Sequence, residues 1–152
     1  MTIEQRLQEL GLALPETPTP AGNYATAVRT GNLVYVSGHG PRRVDGSHVI
    51  GKVGRDLTAE EGYAAARITM LNCLASLKAE VGDLENVVRI VKLLGMVNCT
   101  EEFDRHPEVI NGGSDLLTEL FGERGKHARS AVGMQSLPRG IAVEIEFIAE
   151  VR

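Results

Sequence analysis

The residues best suited to chemistry lie near the C-terminus, where an arginine and a glutamate stand on two strand-like segments. Arg129 is flanked by Ala128, Ser130 and Ala131, so small side chains leave space in front of its guanidinium. Arginine presents a planar fork of N–H donors that matches a carboxylate, which the ammonium of lysine does not. Glu144 lies in the next segment, on the side opposite its apolar residues. These features predict a docking site for a small carboxylate.

The C-terminal segment from His127 to Val151 is predicted to be a β-hairpin. Residues 141–151 alternate between apolar and other side chains, which is typical of a strand with one face in a core. Pro138 restricts its own φ angle and Gly140 permits a tight reversal between the two arms. The pattern therefore predicts that the two arms pair with each other in antiparallel fashion.

Helix signals occur in three places. Thr2 and Gln5 form a capping box that predicts a short helix over residues 2–10, followed by an extended, proline-rich connector at 14–22. The same box, with Thr58 and Glu61, predicts a long helix from Thr58 to Val81. A second main helix is predicted within 104–121, where Asn111-Gly112-Gly113 either interrupts it or marks its start, because glycine disfavours helix interiors.

The strand signals complete a single domain over residues 1–152. Residues 24–30 and 33–37 are joined by Gly31-Asn32 and predict a hairpin. Residues 87–97 predict a strand buried on both faces, and 49–53 a further short strand. Together the elements predict an α+β fold in which two helices cover one face of a mixed sheet of five or six strands. The other face is uncovered, which predicts a homo-oligomer.

Composition argues against several classes of function. The chain has 152 residues, a net charge of −4 and no tryptophan, so it lacks the basic, aromatic character of a nucleic-acid groove. No signal segment or membrane-spanning run is apparent, and Cys73 and Cys99 are too few for a disulfide framework. We therefore predict a cytoplasmic protein that uses no metal, with Cys73 as a buried thiol of the long helix.

The sequence resembles the RidA/YjgF family, whose members are also called L-PSP endoribonucleases. The resemblance covers about residues 20–152, with weaker matches outside the C-terminal region. It is strongest in the segments Ala128-Arg129-Ser130-Ala131-Val132, Leu137-Pro138-Arg139-Gly140 and Val143-Glu144-Ile145-Glu146. The resemblance implies a chorismate-mutase-like α+β fold and a homotrimer with pockets between subunits.

The family's functional positions can be carried over one residue at a time. Arg129 matches the arginine that binds the substrate carboxylate, and Glu144 matches the acid beside the hydrolytic water. Further positions implied to line the pocket are Tyr24, His39, Asn111 and Ala131. Ala131 stands where many members have cysteine, His39 where glutamine is common, and Asn23 where proline is common. These differences, with the N-terminal extension over residues 1–20, indicate a divergent subgroup.

The resemblance implies hydrolysis of reactive enamines and imines derived from amino acids, such as 2-aminoacrylate, to 2-oxo acids and ammonia. A protonated imine is already electrophilic, so positioning and one oriented water suffice without a metal or organic cofactor. Two alternatives remain. One is a ribonuclease acting on single-stranded RNA, and the other is a non-catalytic sensor that binds a small carboxylate through Arg129.

Overall fold

The structure is a computed structural model that describes residues 1–152. It contains a mixed sheet of five strands with helices packed on one face. The helices are α1 (Ile3–Glu9), α2 (Ala59–Val81) and α3 (His106–Phe121). The strands are β1 (Ala27–Thr30), β2 (Leu33–His39), β3 (Val87–Asn98), β4 (Ala128–Met134) and β5 (Val143–Val151). Short 3-10 turns cover Leu84–Asn86, Gly122–Gly125 and Pro138–Gly140. The predicted α+β class is confirmed.

The strands follow the order β1-β2-β5-β3-β4 across the sheet. β1 and β2 form the predicted hairpin, and Gly31 adopts a φ of 58° in its turn. β5 lies in the centre and pairs antiparallel with both β2 and β3. Its apolar set, Val143 to Val151 at every second position, is buried in a core cluster of 31 residues. The alternation in the sequence therefore predicted this strand and its buried face correctly, whereas its central position was not predicted.

The predicted hairpin between residues 127–134 and 141–151 is wrong. β3 lies between β4 and β5, and β4 pairs with β3 in parallel. Helix α3 connects β3 to β4, as a parallel pair requires a crossover connection. The segment between β4 and β5 buries Leu137 and Ile141 against Met96 instead of reversing tightly. A period of two identifies a strand but not its neighbour, which is why the pairing was mispredicted.

Both predicted capping boxes are present. The Thr2 hydroxyl accepts a hydrogen bond from the Gln5 backbone N–H at the start of α1, and Thr58 does the same for Glu61 at the start of α2. Ile3 and Leu7 of α1 are buried in the main core, whereas Leu10 is 41% exposed. Helix α1 ends at Glu9, so Leu10 falls outside its regular turns.

The predicted break at Asn111-Gly112-Gly113 does not exist, because α3 is continuous through it. A Cβ atom on Gly112 would stand 2.1 Å from the Tyr63 carbonyl oxygen of α2. The two helices approach so closely at this point that only glycine fits. Close packing therefore outweighs the helix propensity of about 1 kcal/mol that each glycine forfeits.

Two further strand predictions need correction. Residues 49–53 form only isolated bridges, since the chain turns at Gly51 with a φ of 132°. The helix-facing side of β3 is buried, as at Leu93, whereas on the other side Lys92 and Leu94 are half-buried and only Met96 and Asn98, toward the end of the strand, are buried.

The sheet face away from the helices is open in the single chain and carries large apolar side chains. Val28 is 53% exposed, Tyr35 45% and Val132 38%. On the opposite face, α2 and α3 pack side by side against the sheet, with Cys73 of α2 fully buried as predicted. No helix combines the length and apolarity needed to cross a membrane.

Candidate functional site

Arg129 lies on the edge strand β4 and points toward α3. It stands in register with the buried Leu93, so its side chain leaves the sheet on the helix-covered face. Its Nη1 atom donates to the Asn111 Oδ1 atom over 2.8 Å and to the Ser114 Oγ atom over 3.1 Å. Asn111 and Ser114 are three residues apart in α3 and so share one face of the helix. Arg129 and Asn111, both expected to line the pocket, are thus in direct contact within one chain.

One edge of the Arg129 guanidinium is unused. A guanidinium has five N–H donors, and the two on Nη1 are taken by Asn111 and Ser114. Nε and Nη2 have no partner within the chain, and no carboxylate lies within ion-pair distance. These atoms form the side of the fork that can hold a carboxylate through two parallel hydrogen bonds. A half-buried arginine without an acidic partner is suited to receive an anion.

Behind Arg129, a further polar pair extends the network. The Ser114 Oγ atom lies 2.9 Å from the Nε2 atom of His127, whose Nδ1 atom lies 2.7 Å from the Gly125 carbonyl oxygen. Burial lowers the pKa of His127, opposed by the Gly125 carbonyl, and the charge of Arg129 lowers it further. The imidazole is therefore neutral at neutral pH. Neither Ser114 nor His127 was predicted from the sequence, although Ser114 is spaced to share a helix face with Asn111, and His127 a strand face with Arg129.

Glu144 leaves the central strand β5 on the opposite face from Arg129. It alternates with the buried Val143 and Ile145, so its carboxylate lies on the open face. A Cβ atom on Gly38 would stand 2.3 Å from the Glu144 Oε2 atom, which shows that the carboxylate rests directly on the β2 backbone. Burial, with a smaller contribution from the charge of Glu146, raises the pKa of Glu144. A raised pKa is a common property of acid–base groups.

These observations define two half-sites. The Arg129 half-site comprises Arg129, Asn111, Ser114 and His127, between β4 and α3. The Glu144 half-site comprises Glu144 above Gly38, on the open face of β5 and β2. Within one chain, the two half-sites project from opposite faces of the sheet.

The remaining predicted positions have separate surroundings. Ala131 lies two residues beyond Arg129 on β4, on the same face, and packs against the core. Tyr24 is 50% exposed, and its hydroxyl accepts a hydrogen bond from the Ala21 backbone N–H over 3.2 Å. His39 is buried between sheet and α2, with its Nε2 atom 2.7 Å from the Ser76 Oγ atom. The structure therefore groups Ala131 with Arg129 and keeps His39 inside the core.

Two surface depressions lie elsewhere, one beside Tyr63 and Arg105 at the start of α2 and α3, and one beside α1. No three His, Cys, Asp or Glu side chains are grouped so that they could hold a metal ion.

Comparison with known proteins gives consistent matches along the whole chain. Residues 4–151 match the family described as "YjgF/chorismate_mutase-like, putative endoribonuclease", so the match also takes in most of α1. Protein TCP17 of Trypanosoma cruzi is 42% identical over 98% of this chain and 94% of its own. A protein of Dermatophagoides farinae named 2-iminobutanoate/2-iminopropanoate deaminase is 28% identical, over 92% of this chain and 94% of its own.

A solved structure agrees with the fold described above. The crystal structure of a "putative endoribonuclease" from Shewanella oneidensis superposes with a TM-score of 0.96 and 36% identity. The superposition covers 99% of this chain and 100% of the other chain. The N-terminal extension is therefore part of the shared architecture. With the family match spanning nearly every residue and this fold in common, the chain belongs to the YjgF/chorismate mutase-like family.

Proposed function

We propose that the protein hydrolyses imines of 2-oxo acids, together with the enamines that tautomerise to them, releasing the 2-oxo acid and ammonia. The observation that carries this proposal is the unused edge of the Arg129 guanidinium. Asn111 and Ser114 hold the opposite edge, and no acidic side chain competes for the fork. A 2-imino acid has a carboxylate next to its reactive carbon, so holding the carboxylate also positions the C=N bond.

Glu144 supplies the proton transfers. Its ionised carboxylate takes a proton from a water molecule as the water oxygen bonds to C2 of the protonated imine. The resulting carbinolamine carries the former imine nitrogen as an amine. Glu144 returns the proton to this nitrogen, the C–N bond breaks, and ammonia leaves as the hydroxyl group becomes the carbonyl with loss of its proton to solvent. Its raised pKa suits a group that both takes and returns a proton.

The complete site requires two copies of the chain. Arg129 and Glu144 project from opposite faces of one sheet, so the Arg129 half-site of one copy meets the Glu144 half-site of another. The open face, with Tyr35, Val28 and Val132 exposed, is the apolar surface that such an assembly covers. We propose a homotrimer, in which each subunit contributes one half-site to each of two pockets.

A coupled assay tests the reaction directly. 2-Aminoacrylate is generated from serine by a pyridoxal-phosphate-dependent dehydratase, and release of pyruvate is followed with and without the protein. We expect faster pyruvate release than from spontaneous hydrolysis. An unchanged rate combined with tight pyruvate binding would instead indicate a sensor. Cleavage of single-stranded RNA by the same preparation, without any effect on the imine, would indicate a ribonuclease.

We further propose that the protein acts in the cytoplasm, where amino-acid breakdown generates such imines. Fractionation of the source cells, followed by immunodetection, checks the location. Recovery in an organelle would contradict this part of the proposal.

A further inference from the structure

Arg129 is linked to a histidine through a serine, which forms a chain of three hydrogen bonds behind its unused edge. The Nη1 atom reaches the Ser114 Oγ atom over 3.1 Å, Ser114 reaches the His127 Nε2 atom over 2.9 Å, and His127 reaches the Gly125 carbonyl oxygen over 2.7 Å. None of these contacts is needed to bind a carboxylate directly. We propose that Ser114 and His127 are positioning residues that hold the guanidinium of Arg129 in the orientation required for carboxylate binding.

The direction of every hydrogen bond in the chain follows from chemistry. A carbonyl oxygen only accepts, so the His127 Nδ1 atom must carry the proton that the Gly125 carbonyl receives. In a neutral imidazole, Nε2 is then an acceptor, so it receives the single hydroxyl hydrogen of Ser114. The Ser114 oxygen is left with its lone pairs, one of which accepts from Arg129. Each group can act in one direction only, which fixes the orientation of the serine hydroxyl.

A neutral His127 is a condition of this arrangement. Burial keeps the pKa of His127 below its ordinary value, and the nearby Arg129 charge acts in the same direction. If His127 were charged, Nε2 would become a donor, and the Ser114 hydroxyl would lose the acceptor that fixes its hydrogen.

The elements that carry these residues explain why the linkage is rigid. Ser114 lies in α3, whose close approach to α2 at Gly112 leaves little freedom for the helix to shift. His127 immediately precedes β4, two residues before Arg129, so both side chains leave the chain on the same side. Asn111 fixes one hydrogen of the Arg129 Nη1 atom and Ser114 fixes the other. The guanidinium plane is thereby fixed at two points.

The inference rests on the proposed function, because carboxylate binding at Arg129 is the step that it refines. A positioning role nevertheless has its own signature in the free protein. If Ser114 orients the arginine, loss of the hydroxyl loosens the Arg129 Nε–H group even when no ligand is present. If Ser114 and His127 only satisfy buried polar atoms, Arg129 stays as ordered as before.

Three variants separate these cases. Ser114→Ala removes the hydroxyl with little change in volume, Ser114→Thr keeps it as the conservative control, and His127→Phe removes the acceptor while keeping a ring. The probes are the Arg129 Nε–H order parameter and the His127 tautomer, both measured by ¹⁵N NMR, together with the affinity for 2-oxobutanoate. We expect the wild-type protein to show the Nδ1–H tautomer.

Ser114→Ala and His127→Phe should each lower the Arg129 order parameter and weaken 2-oxobutanoate binding by about 3- to 10-fold, which corresponds to one net hydrogen bond. Ser114→Thr should restore both to within about 2-fold of wild type. The double variant should be no worse than either single variant, because the two residues act in series. In turnover, the Michaelis constant should rise while kcat stays nearly constant.

Two results would overturn the inference. One is an unchanged Arg129 order parameter in Ser114→Ala, and the other is an Nε2–H tautomer of His127 in the wild-type protein. Failure of wild type to bind 2-oxobutanoate would count against the proposed function instead, and the ligand-free order parameter would still decide the role of Ser114 and His127.

Discussion

The Arg129 half-site and the Glu144 half-site differ in how much of their geometry a single chain supplies. Arg129 is held by Asn111 and Ser114, which are themselves fixed on a tightly packed helix. Glu144 has no hydrogen-bond or ion-pair partner in the chain, and only the backbone at Gly38 supports it. The proposed binding group is therefore preorganised, whereas the proposed proton-transfer group has no hydrogen-bond partner within the chain. This difference is what we expect if substrate and a second subunit complete the environment of Glu144.

Changing the binding group should have the largest effect. Arg129→Lys keeps the positive charge but loses the two-pronged donor edge, which removes about 2–4 kcal/mol of charge-assisted hydrogen bonding. We expect kcat/KM for 2-aminoacrylate hydrolysis to fall by roughly 30- to 1,000-fold in the coupled assay. Arg43→Lys, on an exposed loop, is the matched control and should behave as wild type. Wild-type kinetics in Arg129→Lys would remove Arg129 from the site.

Removing the proposed proton-transfer group, Glu144, should reduce kcat by about 100-fold. This is the lower end of the usual contribution of general base catalysis, because the protonated imine is already activated. Glu144→Gln should leave 2-oxobutanoate affinity nearly unchanged, since the carboxylate is held by the other half-site. Glu146→Gln, the next outward-facing position on the same strand, is the control. Loss of binding together with turnover in Glu144→Gln would contradict the division of roles.

The pH dependence of kcat/KM provides a second test of the role of Glu144, with the same two variants. The raised pKa of Glu144 means that its carboxylate loses its charge at a higher pH than an ordinary glutamate does. In wild type, kcat/KM should therefore fall as the pH drops through a value above about 4.3, the ordinary pKa of glutamate. This acidic limb should be absent from Glu144→Gln and present in Glu146→Gln. If the acidic limb persists in Glu144→Gln, the fall in kcat/KM arises from the protonation of another group.

The scaffold of the Arg129 half-site can be tested through stability. Gly112→Ala places a methyl group against the Tyr63 carbonyl oxygen, which cannot move away, whereas Gly113→Ala meets the ends of the Ile145 and Met70 side chains. We expect Gly112→Ala to lower the free energy of unfolding by about 2–3 kcal/mol, despite the helix propensity of alanine. Gly113→Ala should change it by less than about 1 kcal/mol. Equal effects in urea denaturation would show that the close contact at Gly112 is unimportant.

The smallest effect is expected from the support of Glu144. Gly38→Ala would displace the end of the Glu144 side chain, which is flexible enough to move at little cost in stability. We expect kcat to fall by roughly 10-fold with an unchanged melting temperature, as general base catalysis depends on reach. The double variant with Glu144→Gln should be no slower than Glu144→Gln alone. Additive losses would mean that Gly38 matters for another reason.

The comparison also shows which features of the site were readable from sequence. Alternation in residues 141–151 identified β5 and the side from which Glu144 projects. Capping boxes located the starts of α1 and α2 to the residue. These signals succeed because they depend on neighbours within one or two turns of chain. Their interpretation does not depend on how distant parts of the chain pack.

What depended on long-range packing was missed. The position of β3 between β4 and β5 cannot be read from either strand alone, so the arms containing Arg129 and Glu144 were paired wrongly. Ser114 and His127 are 13 residues apart and meet only because α3 crosses back over β4. Gly112 looked like a helix breaker because sequence does not show the backbone of α2 beside it.

The central claim is that Arg129 and Glu144 act in one pocket but come from different subunits. Subunit exchange between Arg129→Lys and Glu144→Gln tests it, with two affinity tags to isolate mixed assemblies. In a mixed trimer, some pockets combine the intact Glu144 of one variant with the intact Arg129 of the other. Each isolated mixed trimer has three pockets, and one of the three combines both intact residues, so about one third of the pockets are restored.

We expect the isolated mixed assemblies to recover roughly a third of wild-type pyruvate release, well above either pure variant. Exchange of Arg129→Lys with the double variant, which supplies no intact Arg129, is the matched control and should recover nothing. If tagged assemblies contain both single variants and still show no recovery, the two residues do not share a pocket between subunits, and the account is wrong.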